Sequence, residues 1–592
     1  MENNQPITLD FLDKTLKTMY SEHNININDK TTIKWIEYLS MIETNDDTKY
    51  LEILVDFLKH IDNKEFNENL SLFNEGKGTL ILDKILNICI QPIISIENIS
   101  KIITCLAFIT NNNFKTKEYL YNHNIIDGIQ NLLIQPQILK IFEQIFNTFQ
   151  YEKKVTTQFT TVQFVTSLLS GLLTLVTNCE FIQKQISDIG IIDLLLHLLS
   201  NTKYIPNELL TIYGTIIAII DTYIENSFKF LPQNTIFILK DLIFNIQPKA
   251  IKIMAIKALT DISNLKLQLY RPIFIDLIPL IENEINNIND DFIKQSLLLL
   301  FRSICIDEKI ESYNFIPFIN SLIELINSPI NETMICALET LNVIALRDDT
   351  LNILSNKLDD IIKKFNDIKG DAYSSLILLL TNMGRIDITI RKYKTYKLPE
   401  KIIFYIKSHL NDERALLMSL SLINSISVLH ENRDYLAFDL NIFVVLNDWY
   451  KISTNQVIIF NIQQIISRLI LNSSHRAELF MSIPTALNAI IETAGYTVRL
   501  LKQKITPQNS TREVRDVRVA YEATRILCNL IILNSDYANT IMKDPYIIYA
   551  ILDLIHSHYQ ILKDEGFSAL NRLKQYEIIT DDDITKAEAN RI

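Results

Sequence analysis

Four groups of residues could do chemistry by type, and each has the wrong spacing for it. His556 and His558 stand two apart. On a helix such a pair faces different directions and does not share a metal ion. Asp581-Asp582-Asp583 offers three adjacent carboxylates, without the alternating ligands and glycine of a calcium loop. At a helix start the same acids would instead meet the positive end of the dipole. Gly76-Lys77-Gly78 is too short for a phosphate-binding GxxxxGK[ST] loop and reads as a turn. Cys89, Cys105, Cys179, Cys305, Cys336 and Cys528 form no CxxC pair and mostly sit in apolar helical patterns. They read as reduced, buried thiols. No GxSxG, HExxH or GxGxxG occurs in the chain. The expectation is a protein that is not an enzyme, with no cofactor and no metal.

The elements that would position a binding surface are legible instead. The chain has 592 residues, more than one compact core usually holds, yet only 10 glycines and 14 prolines. Its 48% hydrophobic and 21% charged residues exclude disorder. A net charge of −12 argues against a general nucleic-acid or anionic-membrane binder and points toward basic partners. Val155 to Cys179 is uncharged and long enough to span a bilayer. Its many Thr, Ser and Gln residues make it a buried helical segment rather than a span. The N-terminus lacks the apolar core of a signal peptide, so a cytoplasmic location, without stable membrane insertion, is expected.

The organising stretch is Gly171 to Leu199. Two short apolar helix patterns, Ile182–Ile189 and Ile191–Leu199, follow a longer one and are separated by Gly190. Glycine turns the chain cheaply where φ is positive. The stretch KEYLYNHNIIDGIQNLL repeats the pattern with Asn124 in the glycine's place, and asparagine is the next-best residue there. One position near the end of each long helix recurs through the chain: Phe108, Thr148, Leu175, Ile219, Asp261, Ser303, Val343, Asn382, Ser425, Arg468 and Asn529. From Leu175 to Arg468 the spacing stays near 40 residues, and an all-helical period of about 40–47 residues marks armadillo or HEAT arrays. No strand pattern competes.

The second short helix with its turn resembles armadillo repeats over about Leu70 to Leu573. The expected fold is therefore all-α, an armadillo-type α-solenoid: a right-handed superhelix of stacked three-helix repeats. Residues 1–66 form an N-terminal helical cap, 67–573 the array and 574–592 a tail. The array has an irregular repeat near 149–171 and an insertion near 502–518. In such an array the third helices line a groove. The spacing assigns Phe108, Leu175 and Ile219 to a greasy, lipid-binding end, with the Val155–Cys179 segment as pocket wall. It assigns Asp261, Ser303, Glu339, Asn382, Ser425, Gln464 and Asn529 to a polar, partner-binding stretch.

Length, acidity, repeats from end to end and this apolar-then-polar groove resemble the SmgGDS small-GTPase dissociation stimulator family, with its relative darlin. The resemblance implies binding of Ras- and Rho-type small GTPases through basic, prenylated C-termini, by a monomer acting as chaperone and guanine-nucleotide exchange factor without covalent chemistry. Two other readings stay open. One is a scaffold or transport adaptor for extended peptides, in which Arg499, Lys502, Lys504, Arg512, Arg515 and Arg518 would face an acidic partner. The other is a Gα chaperone.

Overall fold

The computed structural model describes residues 35–40, 46–60, 77–111, 114–133, 159–200, 209–246, 248–305, 315–496 and 516–590, with the single positions 135, 140, 205 and 514. Thr148, most of the insertion and much of the N-terminal cap lie outside these residues. Every regular element among the described residues is helical. The chain forms two compact units, residues 1–307 and 308–592.

In the first unit the long third helices of successive repeats pack in series. Ile96–Thr110 lies against Phe159–Val176, that helix against Leu210–Ser227, and Leu210–Ser227 against Lys249–Asn287. The cap helix Asp47–His60 packs on Ile96–Thr110 and covers an otherwise open end. Trp35 stacks on Phe57 of this helix, ring centroids 5.9 Å apart. Lys249–Asn287 runs unbroken for 39 residues through Pro272 and Pro279, where the repeat pattern implies separate helices. No glycine or asparagine in left-handed conformation interrupts it.

The second unit repeats the arrangement with Asn331–Ile344, Gly370–Met383, Glu413–Ile426, Gln456–Ile470, Val517–Leu533 and Gln560–Gln575, each packed on the next. Polar caps start several of these helices. Asp412 accepts from the Ala415 N–H at 2.9 Å, and Asn455 accepts from Val457 at 3.0 Å. The tail does form a helix, Asp581–Ala589, opened by a capping box between Thr580 and Asp583.

Two devices recur in several repeats, not always together. The first is the expected left-handed turn between the short helices: Asn124 (φ 62°), Gly190 (φ 79°), Lys397 (φ 51°) and Asn441 (φ 48°). The second ties the end of a long helix to the helix that follows. A buried side chain six or seven residues on donates to the last carbonyls of the long helix. Gln183 donates to Val176 O at 2.9 Å, Thr350 to Ile344 O at 2.6 Å, and Asn432 to Ile426 O at 3.2 Å. Arg476 does the same to Leu469 O. A helix leaves its last carbonyls without partners, and burying them unpaired is costly, which these four donors offset.

Candidate functional site

The face to consider is the exposed stripe of the stacked long helices. In the first unit it is not greasy. On Phe159–Val176 the solvent-reaching positions include Gln163, Thr166, Ser170 and Thr174 with the half-buried Leu173, Thr177 follows the helix end, and on Leu210–Ser227 they include Thr211, Thr215, Ala218 and Thr222. The threonine hydroxyls bond back into their own helices, as Thr166 to Val162 O at 2.8 Å and Thr215 to Thr211 O at 2.8 Å. Leu175 is 3% exposed and Ile219 is fully buried. Both are core residues, one position round the helix from the stripe, and neither lines a lipid pocket. Phe108, half-buried beside Thr104, does reach the face. The Val155–Cys179 segment supplies a core helix, with Leu169, Leu172 and Val176 buried. Among the described residues no helix is long and apolar enough to cross a membrane.

Asp261 falls where the spacing puts it, and the structure adds neighbours that the spacing missed. Lys257, one turn earlier, bonds Asp221 of the preceding long helix and lies 3.6 Å from Asp261. Glu225 stands exposed one turn after Asp221. Burial raises the Asp261 carboxyl above its ordinary range, and the Asp221 charge adds to that. The Asp221 hydrogen bond raises Lys257. Asp221 Oδ1 has no hydrogen-bond partner. Three carboxylates from two consecutive repeats thus surround one ammonium group. The excess of negative charge would suit a second cation. Ser303, by contrast, is 7% exposed and donates to Leu300 O, which takes it out of the face.

In the second unit two of the five polar positions assigned from the sequence, Asn382 and Gln464, form rungs of an amide ladder across helices. Asn382 donates to Asn342 Oδ1 at 3.4 Å, and Asn342 donates to Ser375 O at 2.9 Å. Gln464 accepts from Asn424 at 3.1 Å, and Arg468 donates to Asn424 Oδ1 at 2.6 Å. Ser425 adjoins Asn424, half-buried, and bonds back to Ser421 O. Further along, Arg525 grips Glu565 with two bonds, of 2.6 and 2.8 Å, and Glu522 at 2.9 Å. Asn529 is 8% exposed and its amide nitrogen has no partner. Glu339 is half-buried on the same stripe as Val343. Asn342 and Asn424 were not singled out in the sequence because each lies one position before the repeating one; Glu522 lies two turns before Asn529, and Glu565 is on a helix beyond the last repeating position. Of the basic insertion residues only Arg518 is described. It pairs with Asp516 and lies over the Phe460 ring, 5.5 Å from its centroid.

Among the described residues no group of His, Cys, Asp and Glu could hold a metal ion. The stacked long helices, the paired short helices and the side-chain ties between repeats define an all-α armadillo-type solenoid. No protein-family model matches the sequence, and no curated protein matches it. Among solved structures, a chain from a study of the phosphorylation switch controlling the cadherin–beta-catenin interaction is similar over 92% of this chain and 99% of its own. The identity there is 12% and the TM-score 0.51. A computationally designed armadillo repeat protein for modular peptide recognition aligns over 43% of this chain at 13% identity, with a TM-score of 0.35. At these identities the likeness is one of fold.

Proposed function

We propose that this protein is a non-catalytic scaffold that holds an extended, basic segment of a partner protein along the face of its long helices. The observation that carries the reading is the Asp221–Lys257–Asp261 arrangement with Glu225 beside it. A partner's lysine or arginine would enter this seat, drawn by the surplus carboxylates. The chain's net charge of −12 would speed encounter with a cationic segment. The amide ladder of the second unit offers donors and acceptors that suit a peptide backbone.

The finer form of the proposal is that the basic segment is the C-terminus of a Ras- or Rho-type small GTPase, with exchange promoted by binding alone. Its support is the family resemblance and the acidity. With Leu175 and Ile219 in the core, contact with a prenyl chain would rest on Phe108.

Fluorescence anisotropy with a labelled Lys/Arg-rich peptide tests the coarse form. Saturable, salt-sensitive binding that weakens about tenfold or more in Asp221→Lys/Asp261→Lys supports it. Binding unaffected by that charge reversal, or equal binding of an acidic peptide, overturns it. Farnesylation of the same peptide tests the lipid. An affinity gain lost in Phe108→Asp supports lipid contact, and an unchanged affinity removes it. Nucleotide release from a purified Rho-type GTPase, measured with and without this protein, decides exchange.

A further inference from the structure

The second unit contains a cavity of about 490 Å³ away from the long-helix face, between the Leu358–Lys363 end of one repeat and the Leu398–Ser408 helix of the next. This size is in the range of ligand sites. We propose that it is a docking pocket for an acidic segment of a partner protein that inserts an aromatic side chain.

The floor is built and fixed. Phe365, Ile368 and Tyr405 line it, and all three are buried. The Tyr405 ring lies between Tyr373 and His409, at 3.6 and 4.2 Å between centroids and within 9° of parallel to each. Its hydroxyl accepts from the Gly370 N–H at 3.1 Å. Gly370 holds φ +58°, so the 366–370 turn is set by its own backbone. A preformed aromatic floor spares an incoming ring the cost of ordering the site.

The mouth supplies the rest of the specificity. Phe404 is 77% exposed at the rim, on the stripe that carries Lys401 and Ser408. A ring so placed adds nothing to the core and gains contact only from a ligand lying over it. Lys369 and Lys401 both line the cavity, and the Lys401 ammonium sits 5.8 Å from the centre of the Phe365 ring. The one lining carboxylate, Glu400, turns Oε2 out of reach of solvent, beside the Tyr435 hydroxyl, whose pKa burial and that carboxylate raise. Lys369 and Lys401 outnumber the one half-buried carboxylate of the lining, so carboxylates flanking the inserted ring would pair with these two lysines. This preference is the reverse of the one at Asp221 and Asp261.

The probe is a fluorescein-labelled peptide in which one tryptophan is flanked on both sides by glutamates and aspartates, titrated with the full chain. Saturable binding is expected, weakened about tenfold or more by Phe404→Ala and by Lys369→Glu/Lys401→Glu. Phe404 and Lys369 are exposed and Lys401 is half-buried with its ammonium at the cavity, so the variants should keep the parent's circular dichroism. Asp221→Lys/Asp261→Lys should leave this binding intact, which separates it from the basic-segment site. Absence of saturation below about 1 mM overturns the proposal. So do equal binding of a peptide with alanine for tryptophan, indifference to Phe404→Ala, or equally tight binding of free indole-3-acetate, which would make the cavity a small-molecule site.

Discussion

Gly171 faces Ile103 so closely that a Cβ added to the glycine would stand 2.2 Å from Ile103 Cγ2 and 3.2 Å from the Ile103 carbonyl oxygen. The contact joins the uncharged helix Phe159–Val176 to Ile96–Thr110 across a repeat boundary. Real side chains do not approach so near, and a buried isoleucine has little room to retreat. Gly171→Ala is expected to destabilise the first unit by about 1–3 kcal/mol despite the better helix propensity of alanine. Adding Ile103→Ala should recover part of that loss, so the two changes should not add. Hydrogen exchange of the 96–110 amides reads the effect. Additive losses would show that the contact is not what sets the packing.

Arg476 is 2% exposed, donates to Leu469 O and Leu471 O, and pairs with Asp434 at 2.5 Å. Removing it leaves buried carbonyls without donors. Arg476→Met should cost about 2–4 kcal/mol. Thr350→Val, at the matching place of another repeat, should cost nearer 1 kcal/mol, because a neutral hydroxyl is lost in place of a charge. Urea denaturation of the second unit compares them. Equal losses would mean that side-chain volume, not carbonyl capping, decides the junction.

These two cases show what the sequence could and could not reveal. Asn124 and Gly190 were readable as turns because backbone conformation restricts the residue type on the spot, and both hold positive φ. Asp261, Asn382 and Gln464 were readable because a polar side chain in a long apolar helix must find the open stripe. Leu175 and Ile219 were misplaced for the converse reason. An apolar residue near the stripe satisfies either side, and one position round the helix carries it into the core. Gln183, Thr350, Asn432 and Arg476 were invisible as a set. They share a place and a task but no chemical type, so no repeat pattern in residue identity marks them. The cavity beside Phe404 depends on which helices meet, and nothing local states that.

Thiol reactivity should follow burial. Cys89 is pushed up to about 12 and Cys179 to about 11, both by burial first, and Cys105 and Cys528 are raised the same way. A thiol held protonated is a poor nucleophile. In native protein at mildly alkaline pH, Cys336, the half-buried one of the six, should label first with an aromatic disulfide reagent. Mass mapping of the labelled peptides checks it. Fast labelling of Cys89 or Cys105 in folded protein would contradict the packing described for the first unit.

The Asp221–Asp261 pair would make the proposed basic-segment binding pH-sensitive, with a sign that follows from burial. Burial and then the Asp221 charge raise the folded pKa of Asp261 above its ordinary value. For an acid with a raised folded pKa, the folded state takes up a proton before the unfolded chain does. Lowering pH through that raised value therefore relieves the native state, and the stability contributed at this site rises as pH falls toward the ordinary aspartate range. Binding runs the other way, because the protonated carboxyl no longer attracts a cation. Affinity for a Lys/Arg-rich peptide should begin to fall at a higher pH than ordinary aspartates would give, while the stability contributed by Asp261 itself, read as the difference in thermal midpoint between parent and Asp261→Asn, does not fall with it. Asp261→Asn should weaken binding at neutral pH and flatten its acid limb. An acid limb that survives unchanged in Asp261→Asn would assign the titration to another carboxylate and remove Asp261 from the seat.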